Sequence, residues 1–174
     1  MEIPPEALHE VVDAGLLRLE NPEVTVEELM TVIKGPDFPT GGIIQGTDGI
    51  KTAYKTGKGR FIIRAKTSIE QLRGGKSQIV VTEIPYDVNK ANMVKRMDEL
   101  RIDRKLDGIA DVRDESDRSG LRIVIELKKD TDSNGILQYM LKNTDLQVTY
   151  NFNMIAISGR RPTLMSLPML LDAY

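Results

Sequence analysis

Cysteine is absent from the 174 residues. That removes disulfides, thiolate zinc sites, iron–sulfur clusters and cysteine nucleophiles together. A reducing cytoplasmic setting fits, although a cysteine-free chain is compatible with any compartment. Histidine is almost absent: the single residue is His9, which leaves neither a His-rich metal site nor a choice of base for a Ser/His triad. His9 stands among acids and reads as a surface residue of a helix. Long apolar runs are missing, and none approaches the roughly 18 residues that cross a bilayer. The start, Met1-Glu2-Ile3-Pro4-Pro5, has no basic n-region and no apolar h-region, so no secretory signal is expected.

What remains is an ordinary folded composition, 40% apolar and 29% charged, which excludes wholesale disorder and suits one compact domain or a domain with a small appendage. The formal net charge of −2 hides an uneven distribution. Residues 1–40 hold nine acids against two bases, and residues 51–76 hold eight bases against one acid. The two segments are expected to cancel in the sum and to stay apart in space. A one-sided anion-binding surface produces that asymmetry, and so does a solvated face without a partner.

Residues 4–20 read as a helix with apolar Leu8, Val11, Val12, Leu16 and Leu19 at helical spacing and acids at its start. Thr25-Val26-Glu27-Glu28 is a capping box that opens a short helix through Ile33. Gly35-Pro36-Asp37-Phe38-Pro39-Thr40-Gly41-Gly42 breaks regular structure. A short strand at 43–44 and a helix over 48–56, ended by Gly57, follow. The stretches 59–71 and 77–84 are strand-rich and flank Arg73-Gly74-Gly75-Lys76, the signal of a hairpin. Then come a helix at 89–104, strands at 109–112 and 121–127, a helix at 133–143, a strand at 146–152 and the start of a helix at 167–174.

The predicted fold class is α+β: two N-terminal helices, then a ββαββαβ order that builds a mainly antiparallel sheet with helices on one face. In domain terms, 1–34 is a helical segment, 35–165 the α/β core and 166–174 the beginning of a helix cut by the chain end.

The best chemistry lies in the basic strand. Residues 60, 62, 64 and 66 of Arg60-Phe61-Ile62-Ile63-Arg64-Ala65-Lys66 share one face, at roughly 6.6 Å spacing, and three of these four are cationic. Such a row can follow a phosphate backbone. Phe61, Ile63 and Ala65 would face the core. Lys51, Lys55 and Lys58 precede it, and the glycines of Lys55-Thr56-Gly57-Lys58-Gly59 would let backbone amides approach a phosphate. The candidate backbone-binding set is therefore Lys51, Lys55, Lys58, Arg60, Arg64, Lys66 and Lys90. Gly57-Lys58-Gly59 lacks the Walker spacing and leads into a strand, so it is no nucleotide loop. Asp111, Asp114, Glu115 and Asp117 could hold a hard cation, but Arg113 and Arg118 interleave with them, and a turn tied by salt bridges is the expected reading. No catalytic residue and no metal ligand is assigned.

Several segments, in this order, resemble the A subunit of bacterial type IIA DNA topoisomerases, topoisomerase IV more than gyrase. They are Gly35 to Gly42, Tyr54-Lys55-Thr56-Gly57-Lys58-Gly59, Thr82-Glu83-Ile84-Pro85-Tyr86 with Val88-Asn89-Lys90, Val112 to Arg118, Leu121 to Leu127, and Leu146-Gln147-Val148 with Asn153-Met154. Gly41-Gly42-Ile43-Ile44-Gln45-Gly46 and Tyr150-Asn151-Phe152-Asn153 carry the likeness to topoisomerase IV. The family usually has His-Asn-Leu after Ile3-Pro4-Pro5, where this chain has Glu6-Ala7-Leu8, which puts the local contacts there in doubt.

The resemblance implies the tower (shoulder) domain, which grips the arms of a bent gate duplex. It implies a parent that passes one duplex through a transient break in another, in decatenation and relaxation. The catalytic tyrosine would lie in a winged-helix domain before this chain. Mg and ATP would be used through a partner B subunit, with no cofactor in this chain. The implied partners are double-stranded DNA, a second A subunit and the B subunit, in an A2B2 assembly without membrane insertion, in the bacterial cytoplasm on the chromosome. Alone, the chain is expected to be an inactive excised domain. The rival readings are a gyrase equivalent, a free-standing RNA- or DNA-backbone module, and a small metal-dependent enzyme using the acidic loop. Against an RRM-type reader stands the lack of exposed strand aromatics.

Overall fold

The computed structural model describes residues 5–39, 41–103 and 106–173. It is α+β and divides into two compact units. The first comprises residues 1–39, 44–62 and 149–174, the second 40–43 and 63–148.

The first unit begins with α1 (Leu8–Glu20) and α2 (Val26–Leu29). The capping threonine behaves as predicted: the Glu28 amide donates to Thr25 Oγ1 at 3.2 Å, which satisfies one of the orphan donors of the first turn. Helix α1 leaves most of its apolar stripe exposed. Only Ala14 is buried, whereas Leu8 and Leu19 are 78% and 81% exposed. The helix expected over 4–20 begins at Leu8, and Pro4 lies outside the described residues. The core instead gathers aromatics. Phe61 packs against Tyr150 (centroids 5.4 Å) and Phe152 (5.8 Å), Phe38 against Tyr150 (5.3 Å), and Tyr54 edge-on to Phe152 (5.8 Å). Strand β1 (Ile43–Gln45), helix α3 (Asp48–Thr56) and strand β2 (Lys58–Arg64) lead toward that core. The strand order β1-β2-β7 places β2 in the middle, with β7 at Gln147–Asn153.

Unforeseen in the sequence is a hairpin of β8 (Ile155–Ser158) and β9 (Arg161–Leu164), which precedes α6 (Leu167–Ala173). Its turn uses Gly159 and Arg160, both at positive φ (59° and 68°). Such a turn favours Asn-Gly or Gly-Gly, so an arginine in the second place left little signal.

The second unit is a four-stranded antiparallel sheet in the order β3-β4-β6-β5: β3 (Lys66–Gln71), β4 (Ser77–Glu83), β5 (Ile109–Asp114) and β6 (Ile123–Leu127). The predicted hairpin is present as β3–β4, with Gln71 opposite Ser77 and both Gly74 and Gly75 at φ 75°. The predicted strand over 59–71 is, however, two strands in two sheets. It breaks at Ala65, whose amide donates to the Leu146 carbonyl at 2.7 Å. One face of the four-stranded sheet, with Ile79, Val81, Ile123, Ile125 and Leu127, packs with Met93 and Met97 of α4 (Lys90–Ile102) and with Ile136 and Met140 of α5 (Ser133–Asn143). Helices on one face of the sheet are as predicted.

Candidate nucleic-acid interface

Helix α3 has two distinct sides. Ile50, Ala53 and Tyr54 are buried, while Lys51 and Lys55, one turn apart, point outward. Gly57 ends the helix in the left-handed conformation (φ 81°), and its amide closes the last turn on Ala53 at 2.6 Å. Its carbonyl accepts from the Met154 amide at 2.7 Å, and a Cβ there would stand 2.5 Å from the Met165 carbonyl. A Cβ on Gly59 would stand 2.6 Å from the Gly49 carbonyl. The glycines of Gly57-Lys58-Gly59 are therefore explained by close packing of backbone. The expectation that they open amides to a phosphate is corrected for Gly57, because its amide is already used.

Along β2, exposed Lys58, Arg60 and Ile62 alternate with buried Phe61 and Ile63, and Arg64 is half-buried. The period-two reading holds along β2 from Lys58 to Ile63. Among the described residues, no carboxylate lies within ion-pair distance of Lys58, Arg60 or Lys66. Arg64 has its Nε engaged, donating to Gln147 Oε1 at 2.9 Å. Lys66 does not continue the β2 row, since it opens β3 beyond the break at Ala65. Lys51, Lys55, Lys58 and Arg60 belong to the first unit, and Arg64, Lys66 and Lys90 to the second.

Two of the seven candidates are held by one acid. Glu27 Oε1 lies 3.2 Å from Lys51 Nζ and 2.5 Å from Lys55 Nζ. Hydrogen bonding from Lys55 first, and then from its own backbone and Lys51, lowers the Glu27 carboxyl to about 2. The expectation that acidic and basic segments stay apart in space thus fails at this point. Lys90 is also paired, with Asp114 at 2.9 Å, on the rim of a shallow groove shared by Val94, Asp98, Arg101 and Asp111. Ser116, and after it Lys90, hold the Asp114 carboxyl at about 2.

The acidic loop is tied by local bonds, as the interleaved arginines suggested. Arg113 reaches Glu126 (2.6 Å), Asp111 (3.3 Å) and Glu115 (3.4 Å), while Asp117 accepts from the Ser119 amide at 2.8 Å. No group of three or more His, Cys, Asp or Glu side chains among the described residues is arranged to hold a metal ion. Nor is any helix among them long and apolar enough to cross a membrane.

Sequence reasoning missed Glu6. Tyr54 Oη donates to Glu6 Oε1 at 2.8 Å, while Oε2 is buried with no hydrogen-bond partner among the described residues. Burial is the largest cause that raises this carboxyl to about 7, and the charges of Glu10 and Asp37 push the same way. The same burial raises the Tyr54 phenol, which stays protonated.

Known proteins supply the context for this geometry. The family of the DNA gyrase/topoisomerase IV A subunit matches residues 1–174. The chain is 66% identical over 173 residues to the DNA topoisomerase 4 A subunit of Bacillus subtilis (strain 168), covering 99% of this chain and 22% of that protein. It is 60% identical to the protein of the same name from Staphylococcus aureus, and 57% identical to that of Staphylococcus epidermidis (strain ATCC 12228 / FDA PCI 1200), with the same two coverages. It thus spans about a fifth of the length of these relatives.

Proposed function

The chain belongs to the family of DNA gyrase and topoisomerase IV A subunits, and we propose that it is a DNA-gripping tower segment of a topoisomerase IV A subunit. Its role is to hold duplex backbone beside a break made elsewhere in the parent. The observation that carries this reading is the exposed pair Lys58 and Arg60 on β2, free of carboxylate partners among the described residues, above a strand face closed by Phe61. Alternate strand positions lie roughly 6.6 Å apart, which suits successive contacts along a phosphate chain. Such contacts position a duplex without reading its bases.

In the parent, contacts on the arms of the gate duplex offset the several kcal/mol that sharp bending costs. The parent passes one duplex through another in decatenation and relaxation. It works with a B subunit that brings ATP and Mg, as an A2B2 assembly on the bacterial chromosome. This chain contributes affinity and geometry to that cycle, and no bond-making group.

The test is sequence independence together with salt dependence. Labelled 30-mer duplexes of contrasting base composition should bind the chain within about twofold of each other, near the non-specific range of roughly 10⁻⁴–10⁻⁶ M. Affinity should fall steeply as salt rises. A strong preference for one sequence, or binding indifferent to salt, would contradict the reading.

A further inference from the structure

Lys51 and Lys55 converge on a single oxygen. Glu27 Oε1 sits 3.2 Å from one ammonium and 2.5 Å from the other, so two cations one helical turn apart on α3 mark a point position for an anion. The three side chains are 44–48% exposed. An ion pair so open to water is weak and screened by salt, and its carboxylate can be exchanged for another anion. A phosphate oxygen has the charge and the acceptor geometry to take that place.

We propose that the Lys51/Lys55 pair is a phosphate site with its own built-in occupant, Glu27, which lowers DNA affinity until a backbone phosphate displaces it. The inference rests on the reading of the first unit as a DNA-backbone surface, and it adds a restraint within that surface. Glu27 stays ionised at every pH near neutrality, because hydrogen bonds from Lys55, its own backbone and Lys51 hold its carboxyl at about 2. Displacement is therefore by competition with phosphate, and no protonation step takes part. Because the lysines exchange one anion for another, and the freed carboxylate takes up a cation, the exchange adds little net counterion release, so the salt slope is shallower than seven basic residues would give. The physical use of such a restraint is rapid release, since a grip that must let go of a duplex gains from a competitor already in place.

The experiment is a double-mutant cycle on the 174-residue chain. Anisotropy of a labelled 30-mer duplex is followed at several salt concentrations for the parent, Glu27→Gln, the Lys51→Ala/Lys55→Ala pair, and the triple variant. Glu27→Gln should bind roughly three- to tenfold tighter near 0.1 M salt, with a log–log slope steeper by up to about two units. That gain should vanish in the lysine-free background.

Three results would overturn the proposal: no gain, a loss (Glu27 then merely orients the lysines), or an equal gain without the lysines (a general effect of net charge). A phosphate readout separates this failure from that of the DNA reading. Inorganic pyrophosphate, titrated against the Lys51 and Lys55 Nζ resonances, should bind Glu27→Gln several-fold tighter than the parent whether or not duplex binds. Equal pyrophosphate affinities would also overturn the proposal. Arg60→Ala tests the DNA reading separately.

Discussion

Glu6 shows how one carboxyl can set the pH response of a fold. Unfolded, it titrates near its ordinary value. Folded, it titrates at about 7, chiefly because burial disfavours its charge. Between those two values the folded chain holds a proton that the unfolded chain has released, so this carboxyl makes stability fall as pH rises through the window and level off above it. Glu6→Gln cannot ionise and should abolish that contribution. Chemical denaturation at pH 5 and pH 8.5 should show the parent losing up to about 3 kcal/mol that the variant keeps. Equal pH dependence in the two would refute the assignment.

The departure at Glu6-Ala7 marked the place, but periodicity could not show that Glu6 is buried, because its hydrogen-bond partner Tyr54 lies far along the chain. The pairing of Glu27 with Lys51 and Lys55 escaped for the same reason. The capping threonine at 25, by contrast, was legible, since cap and amide are three residues apart.

At the scale of elements, the glycines of α1 and α3 meet different surroundings. Gly15 lies in α1 with nothing among the described residues within 4 Å of a Cβ, whereas a Cβ on Gly49 in α3 would overlap the Arg60 carbonyl. Gly15→Ala should therefore stabilise by up to about 1 kcal/mol through helix propensity. Gly49→Ala should destabilise by about 1–3 kcal/mol as α3 is pushed from β2. Thermal melts of the two variants should shift in opposite directions, and a Gly49→Ala melt that does not fall would show that α3 does not depend on this close approach.

Elements whose signals are local read correctly from sequence. Asp132 caps Gly135 as the start of α5 requires, and the Gly74-Gly75 turn closes β3 on β4. The break at Ala65 was invisible, because residues on both sides of it are equally strand-like and only the partners differ. The apolar stripe of α1 was visible as a stripe, but its spacing could not say that Leu8, Val12, Leu16 and Leu19 stay exposed.

For the molecule as a whole, the charge asymmetry was the strongest functional sign, and the structure refines it. Of the basic candidates, Lys51, Lys55 and Lys90 are paired with acids, Arg64 is engaged by an amide, and Lys58, Arg60 and Lys66 remain without a carboxylate among the described residues. The family was legible because its motifs recur in order along the whole chain, and the match over residues 1–174 agrees. The proposed role, holding duplex beside a break made elsewhere, predicts that this chain leaves supercoiled plasmid unrelaxed, with or without ATP and magnesium. Relaxation by highly purified chain would refute it.

The most direct test of the central claim compares two double variants in their grip on a labelled 30-mer duplex across a salt series. Lys58→Ala/Arg60→Ala removes the cations without carboxylate partners on β2. Arg96→Ala/Arg101→Ala removes an equal charge from α4, where Glu99 and Asp98 already neutralise it. The β2 variant should bind more weakly, with a log–log salt slope shallower by up to about two units, and the α4 variant should follow the parent closely. Binding that survives loss of Lys58 and Arg60 and is lost with Arg96 and Arg101 would contradict the account and place the DNA surface on α4.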